Sequence, residues 1–161
     1  SNQEKDLFRV RVYLSVVLVG ILFSCQMILF VEPEIQWIDK AIGQSPFVVQ
    51  HFPQLSDWIG VLRVSVTETY QKYPVMAYCM DWLAFAHVFI AVALLGAIRN
   101  PVQNVWVVKT ALITTLLMIP FTFISGGIRG IPCYWLLLDS SFAMIAILPL
   151  VLALRGIKRL R

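Results

Sequence analysis

The chain has 161 residues, 59% of them hydrophobic and only 14% charged, with a formal net charge of +4. Soluble domains carry about 45–50% apolar and about 25% charged residues, so a chain this short and this apolar cannot hide its surface from water. A disordered chain, a disulfide scaffold and a soluble nucleic-acid binder fit poorly, and the basic excess is better explained by residues flanking membrane spans.

A bilayer core about 30 Å thick needs about 20 mostly apolar helical residues, and four stretches qualify within a single membrane domain, 1–161. They run 12–31, 74–98, 105–125 and 131–154. Their apolar runs are continuous and not alternating, so the expected fold is all-α, an integral membrane four-helix bundle and not a barrel. The first span is expected to be a retained helix: its apolar run exceeds the about 7–15 residues of a leader, and no Ala-x-Ala site follows.

Lysine and arginine set the orientation. With the N-terminus in the cytoplasm, Lys5, Arg9, Arg11, Arg99, Lys109, Arg155, Lys158, Arg159 and Arg161 lie inside. Only Lys40, Arg63, Lys72 and Arg129 lie outside. Both termini are therefore expected on the cytoplasmic side of the membrane, with 99–104 as a cytoplasmic turn and 32–73 outside.

The outer segment 32–73 carries its own helical pattern. Leu55, Trp58, Ile59, Leu62 and Val66 share one face of an amphipathic helix. Ser56 or Asp57 is placed to cap its start. Ile35, Ile38 and Ile42 mark a shorter stripe beside Trp37, and Ser45-Pro46 suits an N-cap followed by a first turn. Pro53 separates two elements. The segment can fold over the bundle as a lid, lie in the membrane interface, or serve as a structural cap. His51 is a lone loop histidine without metal-ligand spacing around it.

Three cysteines, Cys25, Cys79 and Cys133, contain no C-x-x-C pair. They read first as small apolar fillers, with a Cys79–Cys133 disulfide as the alternative.

Ionisable groups inside spans are costly and mark bundle interiors or wet cavities. Asp81 lies about seven residues into the second span, or about 10 Å at about 1.5 Å per residue, and Asp139 about eight residues into the fourth. Tyr78 and Trp82 flank Asp81; Tyr134 and Trp135 precede Asp139 by about one turn. Arg129, in the tight 126–130 link, can reach inward as a partner for one carboxylate, and Pro132 opens the fourth helix. Pro120 is expected to kink the third. Two readings stand side by side. In one, Asp81, Asp139, Arg129, Tyr78, Trp82, Tyr134, Trp135 and the deeper His87 line an outward-facing ligand pocket. In the other, the carboxylates pair with Arg129 and nearby hydroxyls and fix the bundle, with His87 bonded to Thr114 or Thr115.

No P-loop, nucleophile elbow, zinc-protease motif or Cys/His pair is present. No metal or cofactor is expected, and one intramembrane histidine does not supply a haem pair. The favoured function is binding of a small amphiphile or lipid. A lipid- or isoprenoid-modifying enzyme using Asp81 and Asp139, and a structural or assembly subunit, are the alternatives. The lipid bilayer is the expected partner, together with an amphiphilic ligand, a second copy or a membrane partner, and not nucleic acid.

Tyr73-Pro74-Val75-Met76-Ala77-Tyr78 with Asp81-Trp82-Leu83-Ala84-Phe85-Ala86-His87, and Ile128-Arg129-Gly130-Ile131-Pro132-x-Tyr134-Trp135 with Asp139-Ser140-Ser141-Phe142, resemble a four-span inner-membrane family of Bacteroidota-type bacteria that has no assigned function. The resemblance implies four spans and an inner-membrane location. The layout is also similar to the EXPERA group, which includes the sigma-2 receptor and the emopamil-binding sterol isomerase, in architecture alone.

Overall fold

A computed structural model describes residues 2–160, all but the first and last; Arg161, counted above among the basic flanks, lies outside them. Seven α-helices and one π-helical turn follow in order: α1 (Asn2–Leu29), α2 (Val31–Ile38), the π turn (Asp39–Gly43), α3 (Pro46–His51), α4 (Pro53–Lys72), α5 (Pro74–Arg99), α6 (Val105–Ile128) and α7 (Cys133–Leu160). No strand occurs among the described residues. Helices α1, α5, α6 and α7 are long and apolar enough to cross a membrane. The chain is thus an all-α, multi-pass membrane protein, with a helical segment between its first two spans.

Helix boundaries outrun the apolar spans at the termini. Asn2–Arg11 joins α1 because Gln, Glu, Lys, Leu and Arg are good helix formers, and α7 continues to Leu160 for the same reason. An apolar run measures what lipid can cover, whereas helix length follows backbone bonding. Prolines 46, 53 and 74 open α3, α4 and α5, where the missing N–H has no helical acceptor to lose.

Contacts divide the chain into two units, one built from residues up to Ile21 with those from Phe89 onward, the other from Leu22–Val88. In the first unit, Val10, Leu14 and Val17 of α1 meet Leu94 and Ala97 of α5, Val108 of α6, and Leu150, Ala153 and Ile157 of α7. Each set recurs at helical spacing, so one stripe per helix faces a common core near the two termini. In lipid, such association rests on close packing more than on water exclusion. Small residues permit it: a Cβ on Gly156 would run into Val10 Cγ2, and one on Gly126 into the Leu136 side chain. Arg11 donates to the carbonyls of Ile98 and Arg99 at 3.2 Å each, capping α5 where its dipole favours a cation. Asn104 ties the 99–104 turn through Gly96 and Asn100 carbonyls.

The link from α6 to α7 is a glycine-terminated helix end. Ile131 N–H donates to Gly126 O at 2.9 Å and Gly130 N–H to Gly127 O at 3.2 Å, with Gly130 at φ +69°. These are the paired bonds that a left-handed glycine makes just past a helix C-terminus. Pro132 precedes α7 and does not stand within its first turn; its carbonyl accepts from Trp135 and Leu136. Helix α6 runs unbroken through Pro120, and α7 through Pro149.

In the second unit, α2, the π turn, α3 and α4 pack on one another. The expected α4 stripe is present, with Ile59 buried and Leu55, Trp58, Leu62 and Val66 half-buried. Its capping differs from expectation. The helix starts at Pro53, and Ser56 Oγ instead donates to Gly43 O at 2.7 Å. Ser45 occupies the N-cap of α3 without a side-chain bond. His51 ends α3 and is not in a loop; its ring stacks on Phe47, with Nδ1 3.0 Å from Phe47 O. All three cysteines are free thiols, and buried Cys25 donates to Ala84 O of α5 at 3.4 Å.

Candidate functional site

The eight residues singled out from sequence divide between the units: Tyr78, Asp81, Trp82 and His87 in one, Arg129, Tyr134, Trp135 and Asp139 in the other. On α5, Tyr78, Trp82 and Phe85 form a ladder of edge-to-face rings with centroids 6.1 and 5.9 Å apart. All three rings are exposed on the isolated chain, and Asp81 is exposed among them, one turn from Tyr78 and from Phe85. Within its unit no basic side chain forms an ion pair with Asp81. His87 Nδ1 lies 2.9 Å from Leu83 O of its own helix. The hydroxyls of Thr114 and Thr115 bond carbonyls of α6.

Asp139 is exposed on α7, one turn from Trp135 and from exposed Phe142. The expected Arg129 pairing is absent: among the described residues of their unit, no ion pair joins Asp139 to Arg129 or to another basic side chain. Arg129 instead sits at the C-cap of α6 with its side chain exposed. Ser140 and Ser141 turn back on their own helix, to Leu136 O at 2.7 Å and Leu138 O at 2.6 Å. Short hydroxyl side chains on a helix find the carbonyl one turn back before any interhelical partner.

Asp81 reaches electrostatically into the segment between the spans. The Tyr70 phenol near the end of α4 is pushed above its usual value, chiefly by burial and then by the charges of Asp81 and Glu32. Gln26 of α1 donates to Glu34 of α2 in the same unit.

The best-formed polar arrangement lies outside the spans, at residues that no motif marks. Asp39 is almost fully buried in the π turn, its Oδ2 accepting from Gln44 Nε2 at 2.7 Å and lying 2.9 Å from Arg63 Nε of α4. The π turn is closed by Gln44 N–H donating to Asp39 O at 2.8 Å. Gly43 is required there, because a Cβ would stand 2.7 Å from Asp39 Oδ1 and 3.0 Å from Ile59 Cγ2. Above this pair lies an open groove of about 770 Å³ that also takes in Asp57, Gly60, Val61 and Val64.

A signal for this network was present. Asp39 falls between Ile35, Ile38 and Ile42 on their stripe, and Arg63 falls four residues after Ile59 and three before Val66. A charge on an apolar helical face needs a partner, and here each supplies the other's. No group of three or more His, Cys, Asp or Glu side chains that could hold a metal ion occurs among the described residues.

Comparison with protein-family models, with curated proteins and with solved structures finds no match.

Proposed function

We propose that this multi-pass protein resides in a bacterial inner membrane with both termini cytoplasmic, and that it binds a small amphiphile or lipid through the outer half of its spans. In one unit Asp81 holds a cationic or polar group, with the rings of Tyr78 and Trp82 on the apolar part; in the other, Asp139 does the same with Tyr134 and Trp135. His87 joins the first set and Arg129 the second. The observation that carries this reading is that each spanning carboxylate lies one helical turn from aromatic side chains, Asp81 beside the Tyr78–Trp82 ladder and Asp139 beside Trp135 and Phe142, with no ion-pair partner among the described residues of its own unit. A charge left in that state inside a membrane is costly, and a ligand cation relieves the cost. The bias of basic residues toward the termini supports the orientation.

The test is thermal unfolding in phosphatidylcholine nanodiscs with an alkyltrimethylammonium series and a matched neutral glycoside series. The cationic series is expected to stabilise the parent protein more than the neutral one. Absence of any ligand-dependent stabilisation across both series ends this reading.

A second reading, an assembly subunit whose inter-span segment meets a membrane partner, draws support from the exposed Trp37, Phe47, Phe52 and Val61. It predicts that charging these positions, as in Phe47→Glu, lowers the size of the native complex extracted in mild detergent.

A further inference from the structure

We propose that the groove over α4 and the π turn is a binding site for a zwitterionic group, one carrying an ammonium and a phosphate or carboxylate on a short apolar stem. This site lies wholly in the inter-span segment and stands or falls apart from Asp81 and Asp139.

Arg63 is held from behind. Its Nε faces the buried Asp39 carboxylate, which Gln44 also engages, while the side chain stays 41% exposed and lines the groove. With Nε ion-paired to that carboxylate at 2.9 Å, the guanidinium keeps its terminal nitrogens for another acceptor, in the planar fork that suits phosphate or carboxylate. Asp39 is thereby spent as the internal counter-ion.

Asp57, exposed and lining the same groove, forms no ion pair among the described residues. It offers the opposite charge. Six residues of helix separate it from Arg63, about 9 Å along the axis. A small zwitterion with a hydrogen bond of about 3 Å at either end fills such a span. Between them, Gly60 leaves the groove floor bare: a Cβ there would meet nothing within 4 Å. Val61 and Val64, both exposed, give the stem an apolar wall. A simple anion site would not carry Asp57, and a simple cation site would not turn an arginine fork into the groove.

The probe is phosphatidylethanolamine against phosphatidylglycerol, in nanodiscs of equal mixture, with retained lipid counted by native mass spectrometry of the full chain. Soluble glycerophosphoethanolamine is added as competitor. The parent is expected to retain phosphatidylethanolamine preferentially, and Asp57→Asn to lose that preference by about tenfold, the worth of one charged hydrogen bond. Asp57 makes no side-chain bond that its loss would break, so this variant folds. Gly60→Leu is expected to abolish the preference for phosphatidylethanolamine by filling the groove. Competition by the soluble headgroup assigns the site to a free solute; resistance to it assigns the site to lipid. Equal retention of the two lipids by the parent with no effect of the soluble competitor overturns the proposal, as does unchanged selectivity in Asp57→Asn.

Discussion

Arg63 Nε of α4 lies 2.9 Å from Asp39 Oδ2 in the π turn, and the two residues lock an element of five residues onto one of twenty. The pair is asymmetric, with the Asp39 side chain 6% exposed and that of Arg63 41%. Arg63→Met leaves a buried carboxylate facing only Gln44. It is expected to destabilise the segment by about 2 kcal/mol, below the roughly 3–5 kcal/mol of a fully buried pair because Arg63 is half in solvent. Asp39→Leu combined with Arg63→Met is expected to recover much of that loss. Hydrogen exchange across 31–72 reads both, with protection falling in the single variant and returning in the double.

Gly126 and Leu136 govern the first turns of the α6–α7 contact. Gly126→Ala drives a methyl into the Leu136 side chain, which is itself buried. The expected cost is about 1–3 kcal/mol. Leu136→Ala in the same chain removes the obstruction and is expected to show a coupling energy opposite in sign to the clash. Denaturant unfolding in detergent of the four chains of this cycle measures it.

Gly60 makes the contrasting case. It sits inside α4 with open space where a Cβ would go, so Gly60→Ala meets no clash and gains helix propensity. The segment is expected to become more stable by about 0.5–1 kcal/mol. A destabilised Gly60→Ala, by the same exchange measurement, contradicts the open groove.

Tyr70 reports on the neighbourhood of Asp81. Its phenol is raised mainly by burial, with Asp81 and Glu32 adding to the shift. A raised folded value favours the protonated phenol, so this contribution to stability is full below about pH 10, the usual value, and is lost as pH rises through the folded value. Phenolate absorbance, taken as parent minus Tyr70→Phe, is expected to titrate above that usual value. Asp81→Asn moves it only part of the way back, since burial remains.

Architecture was legible because membrane spans announce themselves by composition. The starts at Pro74 and Val105 follow from continuous apolar runs, and the amphipathic face through Leu55, Ile59 and Val66 from apolar periodicity. Side-chain bonding was less legible, because spacing along a helix gives a residue's face and depth but not its partner. Spacing alone lets Thr114 or Thr115 reach His87, yet both hydroxyls bond carbonyls of their own helix, as Ser140 does on α7. The Asp39–Arg63 pair went unread for the converse reason: its members are 24 residues apart, and only a chain folded through the π turn joins them.

That Asp81 and Asp139 each recognise the charged end of an amphiphile is the core of the proposed function. Its most direct test is equilibrium binding of a fluorescent quaternary-ammonium amphiphile to the reconstituted protein, compared with Asp81→Asn and Asp139→Asn. Each substitution removes one charged contact and is expected to weaken binding by about tenfold or more, with a neutral analogue bound equally by all three proteins. Equal affinity of the cationic amphiphile for the parent and both variants would contradict the claim.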